Sequence, residues 1–156
     1  MPGEFYIEGK KERLDLSAIL TAMADLQAEL GRLRGDAPVS GSVTADWQSG
    51  TGTSGEAGAD LVTIGASNTK YKLHSLMVNI HALTDGATVV LKLFTKINGN
   101  ERSVYHQSFT KGTDPDGLWI VNGTVGIHQA LRVELQSNNA ADNGKYVEYD
   151  YMLEVM

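Results

Sequence analysis

Apolar residues recur along this chain with two different periods. Between residues 16 and 33 they fall at Leu16, Ile19, Met23, Leu26, Leu30 and Leu33, in steps of 3, 4, 3, 4 and 3. That spacing draws one narrow stripe along a helix, with Leu16, Met23 and Leu30 at heptad position a and Ile19, Leu26 and Leu33 at d. Asp15 or Ser17 can cap its start, Arg32 and Arg34 suit the negative end of its dipole, and Gly35 followed by Pro38 stops it. From Val39 onward the period shortens to two. Val43, Ala45 and Trp47 alternate with polar neighbours, Leu61–Ile64 is a short strand closed by Gly65, and 72–82 and 88–98 read as longer strands.

Turn chemistry separates these runs. Asn98-Gly99 accepts the positive φ of a two-residue hairpin and joins the strand 88–98 to a strand over 102–110. Leu118–Val121 is followed by a turn expected at Asn122-Gly123. Leu131, Val133 and Leu135 then alternate with Arg132, Glu134 and Gln136, and Val147, Tyr149, Tyr151, Leu153 and Val155 alternate with acidic residues and Met152. The pattern predicts a mainly β protein: an antiparallel β-sandwich of about eight strands, jelly-roll-like, preceded by a short N-terminal coiled-coil helix. The expected organisation is an N-terminal arm over 1–14, an oligomerising helix over 15–35, a Gly/Ser-rich link with one strand over 36–60, and the sandwich over 61–156. The run 49–59 carries no periodicity and reads as a flexible or surface-moulding loop.

The helical stripe needs something to bury it. Packing on the chain's own β-domain is one solution. The clean two-position seam, flanked by Ala22, Gln27 and Glu29, favours self-association instead. The expected oligomer interface is therefore Leu16, Ile19, Met23, Leu26, Leu30 and Leu33. Leucine at a with isoleucine at d leans toward more than two strands, so a homotrimer is the expected count. Fewer than three heptads is marginal in isolation, and the β-domains must help hold such a bundle together.

Composition narrows the function classes. With 42% hydrophobic and 21% charged residues among 156, the chain suits one well-cored domain plus a helical appendage. A formal charge of −6 and a pI near 5.1 argue against a nucleic-acid binder. No run approaches the roughly 20 apolar residues of a membrane helix, and the first eight residues carry no basic leader, so neither a membrane partner nor a secretory signal is expected. The absence of cysteine excludes disulfides, thiolate metal sites and a cysteine nucleophile together.

No arrangement of chemistry-bearing residues stands out. His74, His81, His106 and His128 have no metal-ligand spacing, with His74 expected on the strand face of Leu76, Val78 and Ile80 and His81 on the other. Asp114-Pro115-Asp116-Gly117 resembles the start of a calcium loop but lacks its distal ligands, and reads as a tight turn. Trp119, entering a strand, is expected in the core, with an exposed rim position as the alternative. Tyr149 and Tyr151 share the parity of Val147 and Leu153 and should face the core or a subunit interface, with Tyr146 opposite. There is no Gly-x-Ser-x-Gly elbow, and the run 49–58 lacks the Gly-Lys-Ser/Thr ending of a phosphate loop. No catalytic residue, metal ligand or cofactor is expected, and the chain reads as a non-enzyme. Phe5, Tyr6 and Ile7 form a short β-prone arm that could pair with a neighbour.

A short oligomerising helix, a Gly/Ser-rich link and a cysteine-free sandwich resemble, as a package, the small virion proteins of tailed bacteriophages, in particular capsid decoration (cement) proteins and head fibres. The resemblance rests on the seam Leu16–Leu33, the link 39–53 and the strands from Leu61 to Val155, and on no diagnostic motif. It implies a viral protein made in the host cytoplasm and located on the capsid surface of the virion. There a trimer would bind the major capsid protein lattice, with Phe5, Tyr6 and Ile7 as capsid-contact candidates. The alternative is a receptor- or carbohydrate-binding β-sandwich module of a phage tail or cell surface.

Overall fold

The computed structural model describes residues 16–34 and 38–156, and the chain divides into two units after Arg34. The first contains the helix α1, Leu16–Arg34. It is rich in Leu, Ala, Glu, Gln and Arg, all strong helix formers. Its 19 residues make it about 28 Å long at 1.5 Å per residue. It is neither long nor apolar enough to cross a membrane.

The second unit holds eight strands: β1 Pro38–Thr44, β2 Ala59–Ile64, β3 Tyr71–Asn79, β4 Thr88–Ile97, β5 Asn100–Thr110, β6 Gly117–Ile127, β7 Leu131–Ser137 and β8 Tyr146–Val155. They form two four-stranded antiparallel sheets, ordered β1-β8-β3-β6 and β2-β7-β4-β5. Pairing is nested about the β4–β5 hairpin, whose tip is Asn98 (φ 49°) and Gly99 (φ 79°). Outward from it, β3 pairs β6, β2 pairs β7 and β1 pairs β8. Leu73, Leu76, Val78, Leu118 and Val147 from one sheet and Ile64, Val89, Leu91, Val133 and Leu135 from the other enter a single buried cluster, a β-sandwich-like arrangement. Trp47 is fully buried in the same cluster and donates from Nε1 to the Lys145 carbonyl at 2.6 Å.

The expected link over 36–60 contains its one strand early, and only the start of a second. β1 is an edge strand paired with β8 over seven residues, and β2 begins at Ala59. The run 49–58 is also pinned rather than loose. Thr53 donates to the Asp60 carboxylate, Ser54 Oγ to Glu134 Oε1 at 2.7 Å, and Lys92 Nζ reaches Glu56 Oε2 at 2.5 Å. A Cβ on Gly52 would stand about 3.0 Å from both Asp60 Oδ1 and the Glu134 carboxyl carbon, a tight fit in which these carboxylates would have to shift by a few tenths of an ångström. This strap explains why Arg132 and Glu134 are buried although they alternate with the core residues of β7.

Three further expectations fail, two of them at strand irregularities. β6 does not turn at Asn122-Gly123. Asn122 lies opposite Ser75 and Val125 opposite Leu73, so the strand continues through a bulge that Gly123 (φ 136°) absorbs. On β3, Leu73 and Ser75 oppose the adjacent residues Leu153 and Met152 of β8, which makes His74 the extra residue. The bulge reverses parity: Leu73 and Leu76 both face the core, while His74 turns outward to Glu154 (2.9 Å) and Thr124 (3.0 Å). On β6, Leu118 and Ile120 are buried and Trp119 between them faces outward, so the tryptophan takes the solvent side of an unbroken alternation and is not in the core.

The polar stretch after β7 is ordered around Asp142, which is fully buried in the 3₁₀ turn Ala140–Asp142. Its carboxylate accepts from Thr84 N (2.7 Å), Thr84 Oγ1 (2.6 Å), Ser137 Oγ (2.5 Å) and Lys145 Nζ (3.2 Å). Burial pushes its pKa up, but the bonds from Ser137 and Thr84 outweigh it and hold the group below the usual carboxylate range. With a folded pKa below the unfolded value of about 3.9, this stabilisation is complete above that value and is lost as pH falls through the folded pKa. Asp142→Asn should therefore cost about 2–3 kcal/mol at neutral pH. The deficit should shrink toward pH 3 in urea titrations, and a deficit independent of pH would reject the ionised reading.

Candidate functional site

Five of the six expected interface residues have described side chains, and all five are exposed: Leu16, Ile19, Met23, Leu26 and Leu30, at 38–61%. Leu33 lies in the last turn of the same helix. Every described side chain from Leu16 to Leu30 is exposed, including Leu20 at 66%, which the two-position reading omitted. Leu20 occupies the e position beside Ile19 and widens the apolar stripe to the a, d and e pattern of bundled helices. Phe5, Tyr6 and Ile7 lie outside the described residues.

The histidines are not brought together. His74 sits with Glu154 and Lys72, His81 Nδ1 lies 3.1 Å from Asp116, and His106 and His128 belong to other segments. Among the described residues no group of three or more histidines and carboxylates is placed to hold a metal ion. Within Asp114–Gly117, Asp114 Oδ2 accepts from the Thr110 amide (2.6 Å), and Asp116 Oδ1 meets Lys111 Nζ at 2.9 Å. Lys111 also meets Asp85 at 3.0 Å, so this turn is tied into the protein's own ion pairs.

Tyr149 and Tyr151 pack against the buried cluster with their rings stacked at 6.2 Å, while Tyr146 is exposed. The tyrosine group is thus split between two faces of β8. The exposed aromatic that sequence reasoning missed is Trp119, 56% exposed instead of in the core. The signal was there in its neighbours: Leu118 and Ile120 are both buried, and strand alternation puts the residue between them on the solvent side.

Trp119 belongs to the solvent face of the β1-β8-β3-β6 sheet. Register places Trp119, Met77, Asp150 and Ser40 in one row across the four strands, and Gly117, Asn79, Glu148 and Ser42 in the next. A shallow cavity of about 470 Å³ lies over the β1, β8 and β3 parts of these rows and Gly117, with Trp119 outside its lining. Ser40 Oγ donates to Asp150 Oδ2 and Asn79 Nδ2 to Glu148 Oε2, both at 2.7 Å. A second cavity of about 380 Å³, lined mainly by apolar residues including Leu73, Tyr105 and Ile127, is one open end of the core. Comparison with family models, curated proteins and solved structures finds no match for the chain.

Proposed function

We propose that the protein is a non-enzymatic structural subunit that assembles as a homotrimer through α1 and decorates a bacteriophage capsid, binding the major capsid protein lattice through its β-domain. The observation that carries this reading is the exposed seam Leu16–Leu30. An apolar stripe at heptad spacing is self-complementary, so a copy of the same helix is the partner that fits it without further design. Three linked subunits also turn weak contacts with a repetitive lattice into durable attachment through effective concentration. In this reading Phe5, Tyr6 and Ile7 of each subunit add to that contact on the virion surface.

The β-domain belongs to the same proposal as a jelly roll. Nested pairing of β4·β5, β3·β6, β2·β7 and β1·β8, divided between two four-stranded sheets, supports that topology, which is also a viral capsid architecture. The link from architecture to virion is one of analogy.

Two measurements test the two halves separately. Sedimentation equilibrium of the intact chain at micromolar concentration should return three times the 16.8 kDa subunit mass. A stable monomer removes the assembly half. Production of the chain together with its cognate major capsid protein should bring it down with purified particles. Recovery only in the particle-free fraction removes the lattice half.

A further inference from the structure

We propose that the solvent face of the β1-β8-β3-β6 sheet binds a neutral oligosaccharide, with Trp119 stacking on a sugar ring and Glu148, Asp150 and Asn79 taking its hydroxyls. The two rows across the sheet supply both kinds of contact. Neighbouring strands lie about 4.8 Å apart, so Trp119 on β6 and Asp150 on β8 stand about 10 Å from each other with Met77 between them. The row therefore runs from a flat aromatic surface, over a thioether, to a carboxylate. A pyranose has the matching composition: an apolar C–H face ringed by hydroxyls.

The polar groups are held in place before any ligand arrives. Asp150 and Glu148 each use one oxygen to accept from a neighbour, Ser40 and Asn79 respectively. No described residue bonds the second oxygen of either carboxylate. Asn79 Oδ1 accepts from the His81 amide at 2.9 Å, which fixes the side-chain amide and leaves one of its two N–H groups for a ligand. Acceptors and a donor fixed on adjacent strands lose little freedom on binding.

Size and charge set the ligand class. The cavity of about 470 Å³, lined by Met77, Asn79, Gly117, Glu148 and Asp150 with Trp119 beyond its rim, is within the usual range for small ligands, about 300–1,000 Å³. Nothing fills the space above Gly117, beside Trp119 on β6, where a Cβ would meet no atom within 4 Å. Glu148 and Asp150 give the site negative charge on a chain of formal charge −6, so a uronate, a sialylated glycan or a phosphate would be repelled. A protein partner would be expected to find a charge-depleted centre, whereas Asp150 and Glu148 interrupt the apolar positions Trp119, Met77, Met152 and Tyr146 of this face.

Tryptophan fluorescence reads this site directly, since Trp47 is fully buried and Trp119 is exposed. The intact chain is titrated with cellohexaose, maltohexaose, mannohexaose, chitohexaose and a sialylated oligosaccharide, and the samples are weighed by sedimentation. The expected result is a saturable blue shift with at least one neutral hexasaccharide and none with the sialylated one. Trp119→Ala should abolish binding seen by calorimetry, and Asp150→Ala should weaken it at least tenfold, with circular dichroism and assembly mass unchanged in both. The proposal is overturned if no neutral hexasaccharide binds at up to 10 mM, or if Trp119→Ala keeps the affinity. It is equally overturned if Trp119→Ala changes the assembly mass, which would make this face a protein interface.

Discussion

Arg132→Ala should lower the stability of the β-domain by about 3–5 kcal/mol, the range for breaking a buried ion pair from one side. The Arg132 side chain is 8% exposed and that of Glu134 2%. The guanidinium bonds Glu101 through Nε (3.1 Å) and Nη2 (3.0 Å), Asp60 through Nη1 (2.7 Å), and Glu134 through the same Nη1, while its carbon lies 4.3 Å above the Phe94 ring. Burial alone favours the neutral guanidine, but the bonds to Glu101 and Glu134 outweigh it and hold the pKa above its usual range. Removing the cation leaves Glu134 buried without a counter-charge and Asp60 and Glu101 facing it. The strap 49–58 depends on the same carboxylates through Thr53 and Ser54, so it should loosen with them. Thermal unfolding should move down by about 10–20 °C for a domain of this size. The double variant Arg132→Met with Glu134→Gln should recover much of the loss, because no buried charge is then left unpaired and Asp60 and Glu101, each over a third exposed, keep contact with water. An Arg132→Ala variant within 1 kcal/mol of the parent would show that water reaches this cluster freely.

Leu26→Asp should convert the proposed trimer to monomers while leaving the β spectrum by circular dichroism intact. Leu26 is central in the seam, with Met23 and Leu30 one turn away on either side and 61% exposed in the single chain. In a trimer it would meet its own copies, and three carboxylates at one level would each lose water with no cation to pair. Desolvating a charge costs several kcal/mol, more than a bundle of fewer than three heptads can supply. Ser17→Asp, on the opposite side of the helix, is the control and should leave the mass unchanged. Sedimentation equilibrium decides it: a variant that remains assembled would assign self-association to the β-domain. Since Leu26 and Trp119 lie in different units of the chain, loss of assembly in one variant and of oligosaccharide binding in the other are separable results.

Much of the fold was readable from contiguous residues. The helix Leu16–Arg34, the hairpin at Asn98-Gly99 and the strands around Leu76, Leu91, Val133 and Leu153 follow from period and turn chemistry, which neighbouring residues share whatever surrounds them. The apolar spacing along α1 is equally legible, since it is a property of one segment, although the two-position pattern leaves out Leu20 beside it. The candidate binding face was not legible. Ser40 and Asp150, or Asn79 and Glu148, meet only because strands far apart in the chain become neighbours.

What the chain determined by itself was where helix, strands and tight turns fall, because φ/ψ preference and side-chain periodicity act over a few residues. Only tertiary structure decided which strand lies beside which, and therefore where register slips by one. Those slips turned His74 outward and carried β6 straight through Asn122-Gly123, while side-chain bonds between distant segments laid the strap 49–58 over Arg132 and Glu134. The physical reason is that a side chain's face is set by the ladder of hydrogen bonds to its partner strands, and a single extra residue in that ladder reverses what alternation implies.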